Sequence, residues 1–187
     1  MQTNFETSKT SKLVMTAMTM CMIMVAIFLF RIPIPFTQGY VNLSDAVIFI
    51  GILVLGWKYG AVAAAVGSML GDILGGFAMW APWTFCIKGG MAILAGLLIC
   101  SLCKRYDLTK NKFTVLQTFA MIAGGLFMVF GYYIAEGIMY GSWVVAALGV
   151  PWNIGQFCVG IVLTLVLTES LKKTPFRKYF VYHNREQ

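Results

Sequence analysis

From Leu13 to Phe30 the chain runs for 18 residues without a charge, with Lys9 and Lys12 just ahead of it. A helix of that length reaches across the hydrocarbon core of a bilayer, and the run is too long for the apolar core of a signal peptide. No small-residue cleavage site precedes Arg31, so the segment is expected to stay as a first transmembrane helix. Further apolar runs follow at about 44–57, 61–76, 82–103, 113–140 and 151–171. Lys58-Tyr59-Gly60, Gly75-Gly76, Lys104 to Lys112 and Gly141 to Val150 separate them. The prediction is an all-α integral membrane protein of six transmembrane helices. With 59% hydrophobic and 11% charged residues, against about 25% charged in a soluble domain, a water-soluble fold is excluded.

Between the first two runs, Pro33 and Pro35 remove amide donors and hold the residues before them extended, so residues 31–43 are read as a long outer loop. Basic residues in short loops favour the cytoplasmic side. With the N-terminus inside, 12 of the 14 Lys and Arg residues fall on inner segments, and one helix more or fewer would scramble that partition. Residues 1–11 are then a cytoplasmic N-terminal segment, 12–171 a six-helix membrane domain, and 172–187 a basic, loosely ordered cytoplasmic tail. The expected location is a cell membrane, as a multi-pass protein of the bacterial cytoplasmic membrane. The net charge of +7 belongs to those inner segments, and no basic and aromatic surface for nucleic acid appears.

The second and third spans are short for a bilayer of about 30 Å, so a recess is expected between their outer ends, under the first loop. Gly67-x3-Gly71-x3-Gly75 and Ala92-x3-Gly96 read as small-residue ridges for close helix packing. The five cysteines include Cys100-x-x-Cys103, but the single histidine, His183, lies in the tail. No metal site is expected, and the cysteines read as small, polarizable packing residues.

Five ionisable side chains remain inside or beside the membrane: Arg31, Asp45, Asp72, Lys88 and Glu136, all on the outer half. Buried charges in lipid cost several kcal/mol unless paired or hydrated, so they line cavities or substrate sites. Asp45 is placed to cap the start of the second span, Arg31 to snorkel to the outer headgroups, and Asp72 and Lys88 to form an ion pair. Glu136 has Tyr132, Tyr133 and Tyr140 on its helix face. Pro151 is well placed in the first turn of a sixth helix, where Asn153 and Gln156 share a face. Trp80, Trp83, Trp143 and Trp152 lie at the outer level and Trp57 alone at the inner boundary. That asymmetry suits either an aromatic belt or a pocket whose walls stack a flat ligand.

No G-x-x-x-x-G-K-[ST] phosphate loop occurs, so the chain is not expected to hydrolyse ATP itself. No nucleophile and base stand together, so it is not read as an enzyme, and no cofactor is implied. The polar groups form no continuous line across the membrane, as a channel or proton relay needs. A stand-alone proton-coupled secondary transporter using Glu136 or Asp72 is the alternative.

The stretches Gly39-Tyr-Val-Asn-Leu-Ser-Asp-Ala-Val, Gly67-Ser-Met-Leu-Gly-Asp72-Ile-Leu-Gly-Gly, Trp80-Ala-Pro-Trp-Thr and Ile87-Lys-Gly-Gly together carry a resemblance. From Leu13 to Leu171 the chain resembles the membrane-embedded substrate-binding (S) components of energy-coupling factor (ECF) vitamin transporters, in the branch with riboflavin-, hydroxymethylpyrimidine-, pyridoxine- and pantothenate-type members. The resemblance implies a six-helix bundle with both termini cytoplasmic and a high-affinity vitamin site near the outer face, covered by the first loop. It also implies a separate module of one transmembrane coupling protein and two ATPase subunits. Ala17 and Cys21 stand where such proteins carry an Ala-x-x-x-Ala contact patch for the coupling protein. The implied site residues are Asn42, Trp80, Lys88, Glu136, Asn153 and Gln156, with Tyr133 and Trp152 added to stack a ring. Lys88 would anchor an anionic or acceptor-rich edge, and a small pyridine or pyrimidine compound is favoured as the ligand.

Overall fold

A computed structural model describes residues 9–35, 39–105 and 110–181. The rest of the expected N-terminal segment, residues 106–109 of the expected inner loop and the last six residues of the tail lie outside the described residues. Five long helices dominate: α1 (Lys9–Leu29), α2 (Ser44–Leu74), α3 (Ala81–Arg105), α4 (Lys110–Tyr140) and α5 (Trp143–Lys172). All five are long and apolar enough to cross a membrane. Large apolar side chains such as Met18, Val62, Val115, Phe130 and Val162 stand exposed on their outer faces. That is a liability in water and an ordinary surface against lipid.

The predicted second and third spans lie in the one element α2, on either side of Gly56, whose backbone (φ 77, ψ 174) is not helical. Only glycine takes such a conformation readily. The chain reverses there: a Cβ on Gly60 would stand 3.0 Å from the Ile52 Cα, so the two arms of α2 lie against each other. α1 rests on both arms. A Cβ on Gly51 would meet Thr19 Cγ2 at 3.0 Å and one on Gly67 would meet Met20 Cα at 3.0 Å. The small-residue ridge of the second arm thus receives α1, as glycine interfaces in lipid do. Ile23, Ile27, Phe49, Ile52, Met91, Ile99 and Met121 fill the core between α1, α2, α3 and α4.

The outer loop holds a two-stranded antiparallel hairpin, β1 (Ile32–Pro33) with β2 (Tyr40–Val41), in the register Ile32 to Val41 and Pro33 to Tyr40. α5 begins eight residues earlier than predicted. Ser142 accepts a hydrogen bond from Val145 N–H at 3.4 Å as its N-cap, and Gly141 takes the preceding turn at φ 65. Pro151 therefore sits inside α5, where it has no N–H for the Ala147 carbonyl.

The tail was expected to be loose, yet it folds back as a 3-10 turn over Pro175–Tyr179. Phe180 is buried in the core, and Val181 N–H donates to the Leu53 carbonyl at 3.1 Å. The tail is thus tied to α2 just before its break at Gly56.

Candidate functional site: a polar hollow under the first loop

Helical spacing brings the site together. Trp80, Thr84 and Lys88 follow one another at intervals of four along one face of α3 and the turn before it. Met128, Tyr132 and Glu136 do the same on α4, Ser68 and Asp72 on the second arm of α2, and Asn153 and Gln156 nearly so on α5. With Ser44 of α2 and Ile34, Gly39, Tyr40 and Asn42 of the loop above, most of these side chains line one hollow. The space between these side chains is about 460 Å³, part of it open to the outside.

Its floor is a fully connected network. Lys88 Nζ forms a buried ion pair with Asp45 Oδ1. Gln156 Nε2 donates to Asp45 Oδ2 at 2.9 Å. Gln156 Oε1 accepts the Asn42 backbone N–H at 2.8 Å, and Asn42 Oδ1 accepts Ser44 N–H at 2.9 Å. Met128 Sδ lies 2.9 Å from Lys88 Nζ. Gly160 makes this possible, because a Cβ there would come within 2.8 Å of Asp45 Cβ and hold α5 away from α2. Two expectations are corrected here. Lys88 pairs with Asp45 and not with Asp72. Asp45 caps nothing, since Leu43 is the N-cap of α2 and makes no side-chain cap bond.

The roof is a latch. Tyr40 OH donates to Asp72 Oδ1. The Tyr40 ring lies 4.7 Å from Phe77, and the Arg31 guanidinium stands 4.6 Å and 4.9 Å from the two ring centres. Arg31 also donates to the Gly75 carbonyl at 3.1 Å. Arg31 therefore folds inward over the rings and does not snorkel. Burial first, and then the Asp72 carboxyl beside it, push the Tyr40 phenol above its ordinary value, so it stays a protonated donor.

Between floor and roof the polar atoms are open. Ser44 Oγ, Ser68 Oγ, Asp72 Oδ2, Trp80 Nε1 and Glu136 Oε2 are buried without a hydrogen-bond partner, and all five residues line the hollow. Glu136 packs against Gly149, where any Cβ would collide with its carboxyl group. Asn153 Nδ2 donates to the Gly149 carbonyl at 3.1 Å. Trp80 forms an aromatic wall with Tyr132 and Tyr140, each ring 6.2 Å away.

Of the residues singled out from the sequence, Asn42, Trp80, Lys88, Glu136, Asn153 and Gln156 line this hollow. Tyr133 does not. It turns away to pack on Trp143, with ring centres 5.5 Å apart. Trp152 is 41% exposed and lines a separate apolar crevice between the end of α1 and α5. Tyr40, Ser44, Ser68 and Thr84 were missed, although Ser68 and Thr84 stand four residues from Asp72, Trp80 and Lys88 and carry the same helical signal. Ala17 and Cys21 are both exposed on α1. Among the described residues no cluster of metal ligands occurs.

A bundle of membrane-length helices around a hollow with unmet polar atoms is the architecture of a membrane-embedded binding protein. The chain belongs to the family described as "ECF-type riboflavin transporter, S component", whose model matches residues 7–173. It is therefore an integral membrane transport component and not an enzyme. It is 32% identical over 147 residues to the thiamine precursor transporter HmpT of Lactococcus lactis, covering 78% of each chain. It is 34% identical over 117 residues to an uncharacterized protein of Pyrococcus woesei, covering 63% of this chain and 72% of that one. Two solved structures share the fold. The S component of a bacterial ECF transporter matches with a TM-score of 0.69 at 17% identity, over 89% of this chain and 98% of that one. The S component for biotin from an ECF-type ABC transporter matches with a TM-score of 0.73 at 20% identity, over 96% and 100%.

Proposed function

We propose that the chain captures a small, flat vitamin precursor from the outer side of the membrane, with an aminopyrimidine bearing a hydroxymethyl group as the best fit. The observation that carries this reading is the convergence of five unpartnered polar atoms on one hollow. Asp72 Oδ2 and Glu136 Oε2 call for donors such as an amine or a hydroxyl. Trp80 Nε1 calls for an acceptor such as a ring nitrogen, and the two serine hydroxyls serve either role. The Trp80 and Tyr132 rings offer the planar walls a heteroaromatic ring prefers. The likeness to a thiamine precursor transporter supports the same class. The contact set is Ser44, Ser68, Asp72, Trp80, Glu136 and Asn153, with Asn42 and Gln156 framing the floor.

In this reading each arm of α2 crosses the membrane, giving six crossings with both termini on the cytoplasmic side. Residues 12–171 are the membrane domain. A coupling protein docks on the exposed face of α1 around Ala17 and Cys21, and two ATPases drive release of the cargo inward. The test is to purify the chain in detergent, identify any co-purified small molecule by mass spectrometry, and titrate a vitamin and precursor panel by tryptophan fluorescence. Saturable binding of the aminopyrimidine is expected, and no binding to any member of the panel would end the reading.

A further inference from the structure

We propose that Asp45, although it does not line the hollow, decides the charge class of the cargo. By pairing with Lys88 from behind, it cancels the only cation among the described lining residues and leaves a site that prefers neutral or cationic compounds to carboxylates. The inference rests on the cargo-binding reading above.

Lys88 lines the hollow and Asp45 does not. Their side chains are 2% and 0% exposed, so the pair is shielded from solvent and salt. An ammonium has three donors; Lys88 gives one to the Asp45 carboxylate and one to Met128 Sδ at 2.9 Å, and its charge lies 5.7 Å from the centre of the Tyr132 ring. The second oxygen of Asp45 is held by Gln156 at 2.9 Å, and Gln156 by the Asn42 backbone at 2.8 Å. The carboxylate is thus fixed from α3, α5 and the loop, and it holds the Lys88 charge on the side away from the hollow's open atoms. The carboxyl groups facing the hollow, on Asp72 and Glu136, each keep an oxygen without a partner. An anionic cargo would meet them with no compensating charge, whereas an amine or hydroxyl would complete them. Lys88 and Asp45 are positioning residues on this account, and the expectation that Lys88 anchors an anionic edge is set aside.

The test compares two probes that differ only in charge, the hydroxymethyl aminopyrimidine and the carboxylate made by oxidising its alcohol. Their Kd values are measured for the wild type, Asp45→Asn, Lys88→Gln and the double variant. The wild type should prefer the alcohol. Asp45→Asn unmasks the ammonium and should move the preference towards the acid by about tenfold or more. Lys88→Gln leaves a bare carboxylate and should move it the other way, and the double variant should return within about threefold of the wild type. An unmoved preference in a folded Asp45→Asn protein overturns the proposal. So does a folded double variant that binds the alcohol more than about tenfold worse, since Lys88 would then touch the cargo. If Asp45→Asn alone does not fold, because its ammonium is buried without a partner, the uncharged double variant decides by that same criterion. A wild type that binds the acid better also overturns it. A wild type that binds no member of the panel refutes the cargo reading, and this inference falls with it.

Discussion

Tyr40→Phe tests the roof while leaving the rest of the site in place. The substitution keeps the ring, its 4.7 Å packing on Phe77 and the Arg31 guanidinium 4.6 Å above it. What it removes is the hydroxyl that donates to Asp72. A hydrogen bond to a charged group contributes about 1.5–3 kcal/mol, so the equilibrium between open and closed loop should shift by between about tenfold and about 150-fold. Ile34, Gly39, Tyr40 and Asn42 of the loop lie over the hollow, so on this reading cargo enters and leaves while the loop is open. If the latch bond forms again over bound cargo, its loss cancels in the affinity and appears in the rates. Association and dissociation should both accelerate by about tenfold or more, while Kd moves less than about threefold. Stopped-flow tryptophan fluorescence reads this directly, because Trp80 is part of the wall. Unchanged rates would refute the latch. A dissociation rate that rose alone, carrying Kd with it, would mean that Tyr40 touches the cargo instead of the door.

Four further outcomes are expected. Glu136→Gln keeps the shape of the side chain but weakens the open acceptor, and should raise Kd by about tenfold or more in a fluorescence titration; an unchanged Kd would return Glu136 to a packing role. Ala17→Trp should abolish uptake in cells carrying the complete transporter while leaving the Kd of the purified chain unaltered, and transport at the wild-type rate would move the docking surface elsewhere. Truncation after Thr174 removes buried Phe180 and the Val181 N–H that serves Leu53. Losing a buried phenylalanine costs about 3–5 kcal/mol, so Tm in detergent should fall by about 5 °C or more; an equal Tm would show that the tail contributes nothing. Finally, the raised phenol of Tyr40 means that its stabilising bond is complete below about pH 10, where the unfolded phenol titrates, and is lost only above it. The dissociation rate should therefore be insensitive to Tyr40 titration at about pH 6 to 9, and a step there that Tyr40→Phe removes would contradict the assignment.

The spans were legible because lipid tolerates few charges over some 20 residues, and a sequence cannot hide so long an apolar run. Their ends were less so. Pro151 carries a strong helix-start signal, but the Gly141 turn and the Ser142 cap act first, and the helix then runs through the proline. The reversal in α2 was expected at Lys58-Tyr59-Gly60, yet the backbone breaks at Gly56, where a positive φ and not a charge decides the matter. Within the site, charged residues in apolar helices identified the right level of the bundle but not the helix face to one residue. Tyr132 and Tyr133 are equally good neighbours of Glu136 by spacing. A rotation of about 100° per residue points the first into the hollow and the second at Trp143.

Pairing was the part no local pattern could supply. Lys88 lies 16 positions from Asp72 and 43 from Asp45, and only the packing of α5 onto α2 at Gly160 brings Asp45 and Gln156 together behind the lysine. The consequence is a division between two polar layers. In the lower one each charged or amide group named has its partner, which gives a rigid platform and exposes no free charge to the hollow. The upper one holds five of the nine buried side-chain atoms that lack a partner among the described residues. At about 1–3 kcal/mol each, leaving all five unmet would cost about as much as the whole net stability of a typical domain, so water or a ligand must meet them. On the proposed reading, the satisfied floor supports the open walls, so that their polar groups face the cargo together.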